Sequence, residues 1–400
     1  MNQYLKYQLY RQNLSGARLF KLLIISLFFL LLTGCSTKIR HYSAPSATQY
    51  TQATVKGYNK DIRYWGEEYA KLNNEDLKRL MKNKALFYDV NILALSGGAE
   101  DGAYGAGFLN GWSKRGDRPQ FMMVTGISTG ALIAPFAFLG PQYDHVIKRF
   151  YTQSSTKNIL SFTIIDALFG GSAIADTAPL RNILKKEIDE KFVAAIAKEG
   201  ARGRVLLIGT TDLDAQRPVV WNITKIAMSG RKDAKKLIRK IMLASASIPG
   251  AFPPVLIDVT IDGKRYQEVH VDGSVTRQIF IYPRTVNIYE YENRLGIVPK
   301  KTFWLIRNTK IDPVYSPVSL SLRDIAERSI STLIKYQGRD NIYNIISIAK
   351  RDGFDVYITN VPKDFDMPLK ELFDPEYMRA LYDVGYKRGI SKSAWQKEIK

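Results

Sequence analysis

From residue 88 onward, short apolar runs alternate with stretches of helical periodicity: VNILALS (90–96), QFMMVTGIS (120–128), RVLLIGTT (204–211), RPVVWNI (217–223) and TFWLIR (302–307). A strand covered by helices on both faces reads as an unbroken aliphatic run, so strands alternating with helices predict a parallel, helix-covered α/β sheet. No internal repeat and no second linker divide residues 88–390, and the stretch reads as one domain. From about residue 318 the tail reads as helices around one further strand, DVYITNV (355–361).

The segment before this domain has a different character. Residues 1–21 carry Lys6, Arg11, Arg18 and Lys21 with no acid, and residues 22–32 are apolar apart from Ser26. That is a basic n-region and a signal-peptide h-region, short for a bilayer span. The run ends in Leu32-Thr33-Gly34-Cys35, which resembles the bacterial lipobox, and Cys35 is the only cysteine of the chain. The resemblance implies diacylglyceryl attachment at Cys35 after loss of residues 1–34. Ser36 after it implies the outer membrane of a cell envelope, facing the periplasm or the exterior. Residues 35–60 then read as a polar tether, and residues 61–87 as a helical segment.

Composition removes several alternatives. One cysteine excludes a disulfide framework and any multi-cysteine zinc or iron–sulfur site, and three histidines leave little for a His-rich metal centre. The formal charge of +20 favours an anionic partner. Four of the basic residues fall in residues 1–34, so the basic balance belongs mainly to the folded part. No nucleic-acid recognition motif accompanies it, which leaves membrane lipids as the expected partner and protein partners open. Residues 231–240 (RKDAKKLIRK) place six cations on an expected helix, a solvated face or a contact for anionic lipid.

Gly126-Ile127-Ser128-Thr129-Gly130 sits between an apolar strand and an expected helix over 129–139. A serine nucleophile is presented on a tight strand-to-helix turn that excludes bulky neighbours, hence the elbow glycines Gly126 and Gly130 two residues to either side. The same spacing also suits an ordinary glycine-rich turn with a capping serine. Upstream, VNILALS leads into Gly97-Gly98-Ala99-Glu100-Asp101-Gly102, followed by Gly105 and Gly107. Backbone amides of such a turn can face a phosphate or an oxyanion. A phosphate cradle fits poorly, because the Walker lysine is missing and Glu100 and Asp101 would repel a polyphosphate. An oxyanion hole needs only two amides, those of Gly98 and Ala99, and the later glycines would let the following helix pack closely on the sheet.

A base is harder to find. His41 lies in the tether and His145 on an expected helix surface; no histidine follows His270, so the order Ser, Asp, His of an α/β-hydrolase triad cannot be met. Asp272-Gly273-Ser274 ends an alternating strand on which His270 and Asp272 face one way, and Asp272 could take the serine proton directly. Its ordinary pKa of about 3.9 would have to be raised by burial. Asp-Gly is also a common β-turn.

Taken together, the glycine-rich loop, G-x-S-x-G some thirty residues on and D-G-small downstream resemble the patatin-like phospholipases. LASASIPGAFPPV (243–255) is similar to a stretch between nucleophile and acid in that family, and GTTDLDAQRPVVW (209–221) is like its bacterial lipoprotein members. The resemblance implies a three-layer α/β/α fold with a mostly parallel central sheet, Ser128 as nucleophile, Asp272 as general base, and Gly97, Gly98 and Ala99 as the oxyanion segment, with no metal or cofactor. The implied activity is lipid acyl ester hydrolysis at a membrane. Ester or thioester hydrolysis on other substrates, or lipid binding without catalysis, are the alternatives. Two departures stand out: Ala99 and Asp101 occupy positions where the family loop usually has Gly and Arg or Lys, and Ser274 stands where Gly or Ala is usual.

Overall fold

The computed structural model describes residues 40–68, 88–155, 159, 161–162, 175–286, 288–296 and 298–397. Cys35, the expected signal segment and most of the helix expected over 61–87 lie outside them. The first half of the chain forms β1 (Thr54–Val55), β2 (Arg63–Trp65), β3 (Asp89–Leu95), α1 (Gly102–Arg115), β4 (Met123–Ile127), α2 (Thr129–Leu139), α3 (Asp144–Gln153), β5 (Ser161–Phe162), β6 (Ala175–Asp176), α4 (Ala178–Glu187) and α5 (Glu190–Ala201). The second half forms β7 (Val205–Asp212), β8 (Arg217–Asn222), α6 (Ile223–Met228), α7 (Ala234–Ser245), β9 (Val255–Ile261), β10 (Lys264–Asp272), α8 (Ile288–Leu295), β11 (Lys300–Arg307), α9 (Leu322–Asp352), β12 (Asp355–Asn360) and α10 (Pro375–Ile390).

The main sheet has the order β1-β9-β10-β7-β4-β3-β11-β12, with β8 on β7 and β2 on β8. Its centre, β7 to β12, is parallel, while the β10, β9, β8, β1 and β2 pairings are antiparallel. Alternation along β3 explains the three layers. Leu93 and Leu95 enter the core formed with α1 and α2, whereas Val90, Ile92 and Ala94 face the opposite side and pack with Phe303, Leu305 and, from α9, Ile342 and Ile345. Both faces of the strand are therefore dry, which is why its sequence shows no polar alternation.

Register sets the height of the site. Leu95 pairs with Gly126, Ile127 with Gly209, and Thr210 with Asp272. The turns after β3 and β4 thus leave one carboxyl edge, and Asp272 arrives beside them across β7. Carboxyl edges of parallel strands are where α/β sheets bind ligands.

Three expectations are corrected. Residues 40–60 are not a free tether: Arg40 pairs with Asp214, Ala53 and Val55 are buried, and β1 covers the edge strand β9. Apolar side chains spaced among polar ones are enough to cover an open sheet edge, which composition does not reveal. Residues 63–65 form a strand on β8 instead of a helix, with Arg63 ion-paired to buried Glu268. The glycines of α1 also serve a different neighbour. A Cβ at Gly107 or Gly111 would lie 2.0 Å from Tyr382 O or 2.1 Å from Tyr386 O, and one at Gly385 2.2 Å from Tyr104 O. These residues let α1 and α10 touch backbone to backbone; Gly105 alone of this group faces the sheet end, at Asn308 and Ile306.

Candidate active site

Ser128 occupies φ +54°, ψ −124°, between the last residue of β4 and the first of α2, and is buried. The flanking glycines have steric reasons. A Cβ at Gly126 would fall 2.5 Å from Gly130 O, and one at Gly130 would fall 2.4 Å from Leu95 O. Non-glycine residues at either position would push the elbow off the neighbouring strand. The Ser128 amide donates to Ser245 Oγ at 3.0 Å, and that hydroxyl donates to Gly209 O at 2.6 Å.

The glycine-rich loop closes on the elbow. A Cβ at Gly97 would meet Ser274 Oγ at 2.4 Å and Ser128 Cβ at 3.3 Å, so loop, elbow and the Asp-Gly-Ser turn converge there. The Gly97 amide donates to Gln278 O at 3.0 Å. Gly98 at φ +153° and Ala99 at φ +46° turn the backbone, and among the described residues their amides have no hydrogen-bond partner. Asn308, directly after β11, clamps this loop: its amide donates to Ser96 Oγ and its Nδ2 to Ser96 O, both at 2.8 Å, and its Oδ1 accepts from the Gly105 amide at 3.1 Å. Sequence reasoning did not single out Asn308 or the role of Ser245. Ser245 stood inside a stretch noted for resemblance, and Asn308 had only its position after a strand as a signal.

Asp272 is buried, with Oδ1 accepting from the Ser274 amide at 2.7 Å. Among the described residues Oδ2 makes no hydrogen bond of normal geometry. Burial raises the carboxyl to about 6, against the opposing pull of the Ser128 hydroxyl and of Ser274. The Ser128 hydroxyl is thus close enough to favour the anion without forming a well-aligned bond. The structure brings Ser128, Asp272 and the Gly97–Ala99 segment together.

The histidines lie elsewhere. His270 shares hydrogen bonds with Thr210 Oγ1 at 3.0 Å and Glu268 Oε2 at 3.1 Å, and none with Ser128 or Asp272. Asp212, Glu268 and His270 offer ligand atoms within 4.8 Å of one another. Arg63 already supplies that cluster with a cation; although burial opposes it, Arg63 holds the Glu268 carboxyl down at about 2. His41 contacts Gln267 through its amide, and His145 shares a hydrogen bond with Gln142 O on the surface.

Asp101, at the position expected to be basic, accepts from Tyr377 OH of α10 at 2.6 Å. Burial pushes its carboxyl up to about 7, with Tyr377 opposing, so it is a helix-to-helix tie and not a charge held out to ligand. On the expected basic helix, Arg231 donates to Gly57 O, Lys235 pairs with Glu190 and Arg239 donates to Ile188 O, which ties half of its six cations to the body.

A search of curated proteins finds no match. Among solved structures, the crystal structure of VipD from Legionella pneumophila aligns over 77% of this chain and 68% of that chain, at 12% sequence identity and a TM-score of 0.37. Residues 93–283, the stretch from β3 through β10 that carries Ser128, Asp272 and the glycine-rich loop, match the family model of the patatin-like phospholipases.

Proposed function

We propose that the chain is a membrane-anchored lipid acyl hydrolase working through a Ser128–Asp272 dyad. The observation that carries this reading is the buried Asp272 carboxyl under the influence of the Ser128 hydroxyl, raised toward neutral pH, fixed through Oδ1 and with Oδ2 unbonded among the described residues. A weak base becomes useful when its pKa approaches the working pH and the proton it takes is adjacent. Asp272 takes the Ser128 proton as Oγ bonds to the ester carbonyl carbon; the carbonyl oxygen becomes an oxyanion that the Gly98 and Ala99 amides can receive. Collapse breaks the bond to the alcohol, which leaves with the proton from Asp272. Water, deprotonated by Asp272, then attacks the acyl–Ser128 ester; collapse releases the fatty acid and the proton passes from Asp272 back to Ser128 Oγ.

Anchoring through Cys35 in a bacterial envelope, most simply at the outer membrane, completes the reading; its support is the lipobox-like run ahead of the lone cysteine. Phospholipid is the substrate class that the family match favours, while Asp101, turned into the protein, leaves the loop without a cation for a headgroup phosphate. Lipid mass spectrometry of mixed vesicles treated with wild type and Ser128→Ala tests both points. Loss of acyl chains with wild type only is expected, and identical lipid profiles would remove the proposal. Palmitate incorporation that disappears in Cys35→Ala is expected for the anchor.

A further inference from the structure

Among the described residues, eleven of the nineteen exposed large apolar side chains fall between residues 314 and 343. Helix α9 is divided: Gly338 is buried against Arg307, and Ile342, Ile345 and Ile348 are buried in the core they share with Ile92 and Phe303, while its first half overhangs. Leu320, Leu322, Ile325, Ile330, Leu333 and Tyr336 are 92%, 86%, 44%, 58%, 71% and 51% exposed. At about 100° per residue, Leu322, Ile325, Leu333 and Tyr336 fall within an arc of about 80° on one side of the helix.

Charge is arranged around this stripe. Arg328, Lys335 and Arg339 lie along one shoulder of it, Asp324 and Glu327 lie on the far side, and Asp340 follows the stripe one turn past Tyr336. Arg328 donates to Val314 O and Lys335 to Asp312 O, which are neutral carbonyls; among the described residues none of these three cations has a carboxylate within ion-pair distance. An apolar stripe with a cationic shoulder is the pattern of a helix lying in a bilayer interface. Charged residues along it fit lying on the surface, and among the described residues no helix is long and apolar enough to cross a membrane.

The stripe leads to the site. One turn beyond Leu333, Gln337 donates to Val275 O at 3.2 Å and accepts from Gln278 at 3.3 Å, and Asn341 accepts from the Gln278 amide at 2.8 Å. Gln278 in turn receives the Gly97 amide beside Ser128. We propose that the overhanging half of α9, with Leu320, docks on an anionic bilayer surface and sets the mouth of the Ser128 site against the lipid. Naming lipid as the occupant rests on the hydrolase reading above.

The test uses the full chain carrying Cys35→Ser, Ser128→Ala and Leu333→Cys, labelled at the new thiol with an environment-sensitive nitrobenzoxadiazole dye. Vesicles of phosphatidylcholine with a minority of phosphatidylglycerol should shift the emission to the blue and raise it about threefold or more, and pure phosphatidylcholine less. A label at Lys264→Cys should not change. No shift at Leu333, or a shift that grows with protein concentration in vesicle-free buffer and so reports a second copy, overturns the proposal. In the otherwise native chain, Leu322→Ser with Leu333→Ser should slow vesicle hydrolysis about tenfold or more and leave a soluble short-chain ester within about twofold. Equal losses on both substrates also overturn it. Because the labelled chain lacks Ser128, a wild type that hydrolyses nothing defeats the hydrolase reading alone.

Discussion

The Ser128 amide is held by the hydroxyl of Ser245, 3.0 Å away, at the last residue of α7. Since the same hydroxyl donates to Gly209 O, one buried side chain fixes the elbow against β7. Its φ of +54° is unfavourable for a serine, and a turn of that kind persists only where its surroundings hold it.

Ser245→Ala leaves a buried amide and a buried carbonyl unpaired, which costs about 1–3 kcal/mol. Thermal melts should record that loss. Steady-state kinetics should show a lower kcat at nearly constant KM, because the residue positions Ser128 without meeting substrate; an unchanged kcat would mean that the elbow holds its shape alone.

The activity should follow ionisation of Asp272. Only the carboxylate accepts the Ser128 proton, so kcat/KM should rise with pH through about 6 and level off above it. Asp272→Asn should reduce kcat by about a hundredfold or more. Stability runs the other way: the folded carboxyl holds its proton more tightly than the unfolded chain does, so folding weakens as pH climbs from about 4 to about 6. Asp272→Asn should therefore melt higher at neutral pH, by as much as about 3 kcal/mol. A variant that is inactive and also less stable would count against the raised carboxyl.

His270→Gln separates structure from chemistry. Its ring is packed against Trp221 and bonded to Thr210 and Glu268, so the melting temperature should fall. Turnover of the folded fraction should remain within about threefold, well short of the hundredfold or greater loss that follows removal of a general base. A collapse of kcat in protein that retains its near-ultraviolet circular dichroism would give the histidine a catalytic part.

Gly107→Val inserts carbon atoms where Tyr382 O already sits 2.0 Å from the Cβ position. Separating α1 from α10 should cost about 3 kcal/mol or more and lower fluorophosphonate labelling of Ser128 in parallel. Gly116→Ala, whose Cβ position meets nothing within 4 Å, serves as the comparison, with only the modest penalty of a left-handed residue.

Strands were the most legible part of the fold. All six apolar runs quoted from the sequence form strands, because dry faces on both sides leave a continuous aliphatic signature. Ser128 and Asp272 were legible for a different reason: tight turns restrict residue type at fixed offsets, and the backbone approaches at Gly126, Gly130 and Gly273 are what those offsets encode. Side chains that act by reaching across the fold left little trace. Asn308 is 212 residues from the serine it clamps, and Tyr377 is 276 residues from Asp101. Nothing local marks either one. The edge strands β1 and β2 were missed because two or three residues are too few to show a period.

The contact between α1 and α10 has a consequence for how the protein is made. Asn110 bonds to Tyr382 across 272 residues of chain, so the helix that follows the glycine-rich loop cannot seat against its partner until a segment far downstream has been synthesised. Contacts of such sequence separation form late and slowly. Asp101 waits for the same helix, through Tyr377. A nascent chain that has already emerged with Ser128 and Asp272 would still lack the brace on its glycine-rich loop, so its candidate site can be completed only after α10 has been made.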